Sequence, residues 1–285
     1  MKILVTGGAG SIGSNLVRSL EKLGVANIIV MDNNEYALSI MEDEFSGKSN
    51  IKLALGDVRD RERLRYLMKN VDIVVHMAAY KRVEVSERNM PEVIKVNVEG
   101  ALNVVEICQK VGVKKVLLIS TDKAVPYDDM SIYGATKLLQ EKIFLLANED
   151  YLNEGYCFKA SVARFGNVIG TRGDVTEIWA KQHDSNKPLA ITDLSMKRFF
   201  WTMREATDFI TRCIDCMQGG EIFIPKIKEY GIIEYAEKLY GKGVKYKVVG
   251  TRSGEVLSHV LMTTGEKLCA KDIGWGFVIK RLPIK

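Results

Sequence analysis

The chain has 285 residues, 47% of them hydrophobic and 27% charged, which is enough to bury a large core and too apolar for a disordered chain. Its 41 basic and 36 acidic residues leave a net charge of +5 and are interspersed rather than blocked, so no basic tail points to nucleic acid or a membrane surface, while an anionic substrate fits. Five cysteines lack framework spacing, no apolar run reaches the roughly 20 residues that span a bilayer, and the first strand-like run begins at Lys2 with no leader ahead of it; a soluble cytoplasmic protein is expected.

In chain order, short apolar runs alternate with segments of helical period. KILVT precedes Ser11–Leu23, NIIVM precedes Glu35–Phe45, IKLAL precedes Arg61–Lys69, and DIVVH precedes Pro91–Lys110. KKVLLIS then leads to a helix containing Tyr133–Ala147, followed by CFKASVAR. Near-continuous apolar strands separated by helices predict a parallel sheet covered on both faces, the doubly wound α/β fold of Rossmann type. After Gly166 the rhythm breaks into GNVIGTRGD, a helical run over Thr176–Asp184, and the short strand-like segments LAIT and EIFIPK. Residues 1–166 are therefore expected to bind the nucleotide cofactor and 167–285 to form mainly a smaller substrate-binding domain, with a helix at 204–217 packing back on the first.

Between the first strand and helix, Thr6-Gly-Gly-Ala-Gly-Ser-Ile-Gly13 contains both Gly8-x-Gly10-x-x-Gly13 and Gly7-x-x-Gly10-x-x-Gly13. Such glycines permit a tight turn and close approach to a pyrophosphate, while Ser11 and Ile12 open a helix whose N–H groups face the anion. Asp32 closes the second strand, where a carboxylate accepts hydrogen bonds from the adenosine ribose and repels a 2′-phosphate. Asn33 and Asn34 supply no cation for that phosphate, so NAD is favoured and NADP stays open. The lesser reading of Asp32 is as a cap of the helix that follows, and Asp57 can hold the adenine edge or equally cap a helix.

Tyr133-Gly-Ala-Thr-Lys137 puts a phenol and an ammonium four residues apart on one helix face. Positive charge from Lys137 and an oxidised nicotinamide is expected to favour the phenolate, a base for a sugar hydroxyl; the other reading is a surface Tyr/Lys pair.

TGGAGSIGS, HMAAYK, VNVEG, STDKAV, YGATK and RFGNVIGTRG together resemble the extended short-chain dehydrogenases, and within them the polysaccharide-biosynthesis UDP-N-acetylglucosamine 4,6-dehydratases. The resemblance runs from Lys2 to about Lys226. It implies that Val58, Ala78, Ala79 and Tyr80 line the cofactor, that Asn97 orders backbone or water beside it, and that Lys81 reaches the sugar. It also implies diphosphate contacts from Asn167, Arg172, Gly173, Arg198, Arg252 and Glu255. Thr121-Asp122-Lys123 is the discriminating string: epimerases of this fold typically carry only a small hydroxyl residue there, and nucleotide-glucose dehydratases an Asp-Glu pair.

On this reading Tyr133 takes the O4 proton, Lys123 is the C5 base, Asp122 protonates the departing C6 hydroxyl and Thr121 holds O4. Lys123 needs a lowered pKa and Asp122 a raised one. A single mobile base favours inversion at C5. Two departures from the family stand out: the AVPYDDMSI loop between Lys123 and Tyr133 is longer, and RPGEKLHE is replaced by Arg252-Ser-Gly-Glu-Val-Leu-Ser-His259.

Cys213-x-x-Cys216 lies in an apolar helical run, and His76, His183 and His259 are scattered, so no metal is expected. A UDP-sugar 4-epimerase or reductase needs only Tyr133, Lys137 and NAD, and a non-catalytic NAD(P)-sensing regulator needs none of the chemistry. By resemblance, copies pair through the Tyr133 helix into a dimer or larger homo-oligomer.

Overall fold

The structure is a computed structural model that describes residues 1–148, 158–251 and 255–280. Its first half runs β1 (Lys2–Thr6), α1 (Ser11–Lys22), β2 (Asn27–Asp32), α2 (Glu35–Glu44), β3 (Ile51–Leu55), α3 (Arg61–Met68), β4 (Ile73–His76), α4 (Val83–Arg88), α5 (Met90–Ile94), α6 (Gly100–Val111), β5 (Lys115–Thr121), α7 (Ile132–Leu146) and β6 (Lys159–Phe165). The second half continues β7 (Asn167–Val168), α8 (Val175–Asp184), β8 (Leu189–Ile191), β9 (Lys197–Trp201), α9 (Met203–Cys216), β10 (Glu221–Pro225), β11 (Glu229–Gly231), α10 (Ile232–Tyr240), β12 (Tyr246–Val248), α11 (Thr264–Cys269), β13 (Lys271–Asp272) and β14 (Gly276–Lys280).

The main sheet has the order β13-β14-β10-β6-β5-β4-β1-β2-β3. From β3 through β10 its neighbours are parallel, and β14 and β13 close one edge antiparallel. Alternation along the strands sends Leu4, Val74, Val116 and Leu118 to one face, against α3, α6 and α7. Ile3, Val5, Val75 and Leu117 go to the other, against α1 and α9. The strand order reverses between β1 and β4, so their carboxyl ends open a crevice beneath the β1–α1 loop.

The apolar run expected as one helix over Pro91–Lys110 is interrupted. A π-helical turn at Lys95–Glu99 separates α5 from α6 and leaves the Asn97 carbonyl to accept from Gln140 Nε2 at 2.6 Å. EIFIPK forms β10, paired parallel with β6, so the second half of the chain extends the main sheet. α9 begins with a Thr202/Glu205 capping box and packs against α1 and β5.

The remaining second-half elements form a small lobe from β7, β9 and β11, from β8 and β12, and from α8 and α10. Trp179, Leu189, Ile191, Phe200 and Tyr235 are among its core. No helix among the described residues is long and apolar enough to cross a membrane.

Candidate active site

The crevice is a cavity of about 580 Å³, and its floor is the glycine loop. Gly7 has φ +66°, and a β-carbon there would sit 2.8 Å from the Ala78 nitrogen; one on Gly13 would sit 2.5 Å from the Gly7 carbonyl. Only glycine fits either place. Gly10 stands at the N-cap of α1 with no side chain to bond the first-turn N–H groups, which leaves those donors for an anion.

Asp32 accepts the Ala9 N–H and the Asn34 N–H, each at 3.0 Å. Asn34 is the residue that caps α2, by accepting from the Ala37 N–H, so Asp32 faces the loop and lines the cavity. Asp57 likewise does not cap: Asp60 caps α3. Hydrogen bonds from the Arg59 guanidinium, with help from its N–H and from Asn33, hold the Asp57 carboxyl at about 2 despite partial burial. Val58, Ala78, Ala79, Tyr80 and Lys81 also line this cavity, and burial pushes the Lys81 ammonium down. Asn97 is fully buried behind them, accepting from the Tyr80 N–H at 2.8 Å. A glycine-loop cradle with an acidic residue at the end of the second strand fits a dinucleotide. Among the described residues no cluster of His, Cys, Asp and Glu forms a metal site.

Tyr133 and Lys137 stand on α7, whose start is fixed by Ser131 Oγ accepting the Gly134 N–H at 3.1 Å. Their electrostatics differ from expectation. The Tyr133 phenol is pushed up, by burial first and by Asp122 second, with only Thr121 opposing. Lys137 is pushed down to about 7 by burial, against the pull of Glu141. Its ammonium donates to the Ile119 carbonyl at 2.7 Å and to Gln140 Oε1.

Beside Tyr133, Asp122 and Lys123 form an ion pair at 3.1 Å in the short 3₁₀ turn that leaves β5. Asp122 is 1% exposed. Burial alone would raise its pKa, yet the Lys123 charge and hydrogen bonds from Lys123 and Thr121 outweigh it and hold the carboxyl below its usual range. The Asp122 carboxyl is therefore shifted opposite to the rise expected of an acid. One oxygen, Oδ1, takes the Thr121 hydroxyl at 2.9 Å, while Oδ2 has no partner.

Lys123 also donates to Asn167 Oδ1 at 3.3 Å, where the first cavity meets a second of about 240 Å³. Both cavities are lined by Lys123, Asn167 and Gly173. Of three residues assigned to substrate by resemblance, two have protein partners and one lies outside the described residues. Arg172 turns to the glycine loop, its guanidinium donating to the Ala9 carbonyl at 2.7 Å and its N–H to Ser11 Oγ at 3.0 Å. Arg198 lines the second cavity with Glu255, but its guanidinium is engaged by the carbonyls of Lys197, Val256 and Leu257. Arg252 lies outside the described residues.

Sequence reasoning passed over two residues of the site. His259 lines the second cavity, packs edge-on to Tyr127 at 5.2 Å between ring centroids, and is kept neutral, at about 3, chiefly by burial and then by Lys123. That contact pins the long loop between Lys123 and Tyr133, which Tyr127 also braces through its hydroxyl on Ser131. The other is Gln140, whose i+3 spacing from Lys137 was the available signal.

A glycine-loop cleft meeting a Tyr/Lys helix and a buried acid–ammonium pair defines a nucleotide-binding α/β protein of the short-chain dehydrogenase/reductase type. Residues 3–281 match the model of a family described as polysaccharide biosynthesis protein, and the chain belongs to that family. It is 39% identical over 266 residues to a UDP-N-acetylglucosamine 4,6-dehydratase (inverting) of Campylobacter jejuni, covering 93% of this chain and 78% of the relative. A UDP-glucose 4-epimerase of Rickettsia bellii is 32% identical over 95% of this chain and 80% of its own. Among solved structures, Pen from Bacillus thuringiensis superposes with a TM-score of 0.91 at 31% identity, covering 98% of this chain and 87% of that one.

Proposed function

We propose that the protein is a UDP-sugar 4,6-dehydratase acting on UDP-N-acetylglucosamine, with NAD as its dinucleotide. The observation that carries this is the Asp122–Lys123 pair, whose Lys123 lines both cavities and whose Asp122 is buried behind it, with Tyr133 lining the first cavity. An epimerase requires no second acid and base. The 39% identical relative named as an inverting dehydratase supports the same choice over the more distant epimerase.

Gly7, Gly10, Ser11, Ile12 and Gly13 would hold the dinucleotide pyrophosphate and Asp32 its ribose. A bound nicotinamide would supply the hydride acceptor at C4 and the donor at C6. The chain itself moves protons. Tyr133 takes the proton of the O4 hydroxyl, which turns C4 into a ketone and acidifies C5–H. Lys123 removes that hydrogen, and Asp122 protonates the C6 hydroxyl as it departs as water. Lys123 then returns a proton to C5; delivery to the opposite face inverts that centre.

Asp32 supports NAD over NADP, since it lines the cleft beside the glycine loop and the nearby Arg59 is engaged by Asp57 and Glu92. The test is incubation of the purified protein and NAD with UDP-N-acetylglucosamine, followed by mass. Loss of one water is expected; a new sugar of unchanged mass supports epimerisation, and no turnover across UDP-sugars leaves only a binding protein.

A further inference from the structure

Gln140 on α7 is fully buried and lines neither cavity. Its amide bridges two groups of opposite kind. Nε2 donates to the Asn97 carbonyl at 2.6 Å, and Oε1 accepts from the Lys137 ammonium. A carbonyl can only accept and an ammonium can only donate, so the amide has one allowed orientation; flipped, it would set like against like at both ends.

The far end of this bridge is itself fixed. The π-helical turn at Lys95–Glu99 sends the Gly100 N–H to the Lys95 carbonyl, and Asn97 within that turn is fully buried. The Asn97 side chain accepts from the Tyr80 N–H at 2.8 Å and donates to the Tyr80 carbonyl at 3.1 Å and to Thr136 Oγ1 at 3.0 Å. Asn97 thus anchors the Tyr80 wall of the first cavity, and through Gln140 it also reaches Lys137.

An ammonium has three N–H donors. The Ile119 carbonyl takes one at 2.7 Å and Gln140 takes another, which leaves one for the cleft whose wall Lys137 helps to form. The titratable groups around this ammonium are Glu141 one turn on, Tyr133 one turn back and, from β4, His76, which burial keeps neutral at about 3. Glu141 is held by Arg164 and Ser120, so the bonds that direct the Lys137 ammonium come from Ile119 and Gln140.

We propose that Gln140 is the positioning residue of the Tyr133/Lys137 pair: it stabilises the buried Lys137 ammonium and aims its remaining N–H at the cleft, with the Asn97 carbonyl as anchor. The consequence for turnover rests on the dehydratase reading, in which a charged Lys137 favours the phenolate that takes the O4 proton. The hold on Lys137 does not rest on it.

The experiment follows Lys137 directly, by the pH dependence of its ε-carbon resonance in protein carrying isotope-labelled lysine, without substrate; Lys137→Arg identifies the signal. Gln140→Met keeps the length and removes both polar ends, and its Lys137 midpoint is expected about one pH unit below that of wild type. Gln140→Glu keeps an acceptor for the ammonium, and its midpoint stands at or above wild type. On UDP-N-acetylglucosamine at neutral pH, Gln140→Met is expected to lower kcat roughly 5-fold, the loss of charged Lys137 that a one-unit fall from about 7 produces, with KM within a few-fold. A Gln140→Met midpoint within about 0.3 unit of wild type, or a lowered midpoint in Gln140→Glu, overturns the proposal whatever the activity does. If Gln140→Met does not fold, Gln140→Glu decides by the same criterion. A lowered midpoint with unchanged kcat overturns the positioning role. If the midpoints move as expected while wild type eliminates no water from any UDP-sugar, the dehydratase reading falls and the hold on Lys137 stands.

Discussion

Arg164 holds Glu141 through two hydrogen bonds, Nε to Oε1 at 2.9 Å and Nη2 to Oε2 at 2.6 Å, with both side chains only 2% exposed. The same guanidinium makes two bonds of 2.9 Å to Glu266, and the Ser120 hydroxyl donates to Glu141 at 2.6 Å. One buried cation thus joins β6, the end of β5, α11 and the helix that carries Tyr133. Glu141 lies one turn beyond Lys137, so this cluster also shapes the charge behind the site.

Glu141→Gln removes the charge that compensates Arg164 on its buried side. The variant is expected to lose about 3 kcal/mol of stability, seen as a lower urea midpoint with an unchanged slope. A change within about 0.5 kcal/mol would mean that Glu266 alone satisfies the guanidinium.

Lys137 gives the stability a pH dependence of defined sign. Its pKa is about 7 in the folded protein and near 10.5 in an unfolded chain. Between those values the unfolded chain binds a proton that the folded one does not, so this residue's contribution to stability rises with pH across the window. Below pH 7 the cost of charging the buried ammonium is fully present. Wild type minus Lys137→Met, measured by urea unfolding, should climb by a few kcal/mol from about pH 7 to pH 10; a flat or falling difference rejects the shift.

Lys123→Ala should abolish both water loss and the exchange of solvent deuterium into C5, lowering turnover about 10²–10⁴-fold while dinucleotide affinity by calorimetry is unchanged. Retained exchange at C5 would show that another group is the base.

The glycine loop makes a graded prediction. A β-carbon on Gly13 meets backbone at 2.5 Å and 2.8 Å, whereas one on Gly10 meets only the Gly7 carbonyl, at 3.0 Å. Gly13→Ala should cost about 1–3 kcal/mol and weaken dinucleotide binding at least as severely as it strains the loop; Gly10→Ala should do less on both counts. Equal effects would mean that the loop yields freely.

What the sequence determined by itself was local. The strand and helix periods, the glycine spacing that only one loop shape satisfies, and the four-residue step from Tyr133 to Lys137 all depend on neighbours within a turn or two, so they are legible in the chain. Asp122 and Lys123 were legible for the same reason, as adjacent residues at a strand's carboxyl end. Their charge states were not, because these depend on burial and on groups brought from far along the chain. Folding sets His259 in the cavity that Lys123 lines and joins Arg164 to Glu141 and Glu266, across separations of 23 and 102 residues. It also set the Arg172 guanidinium on the Ala9 carbonyl of the glycine loop. A long charged side chain takes whichever acceptor the tertiary structure leaves within reach, and no spacing in the sequence records that choice.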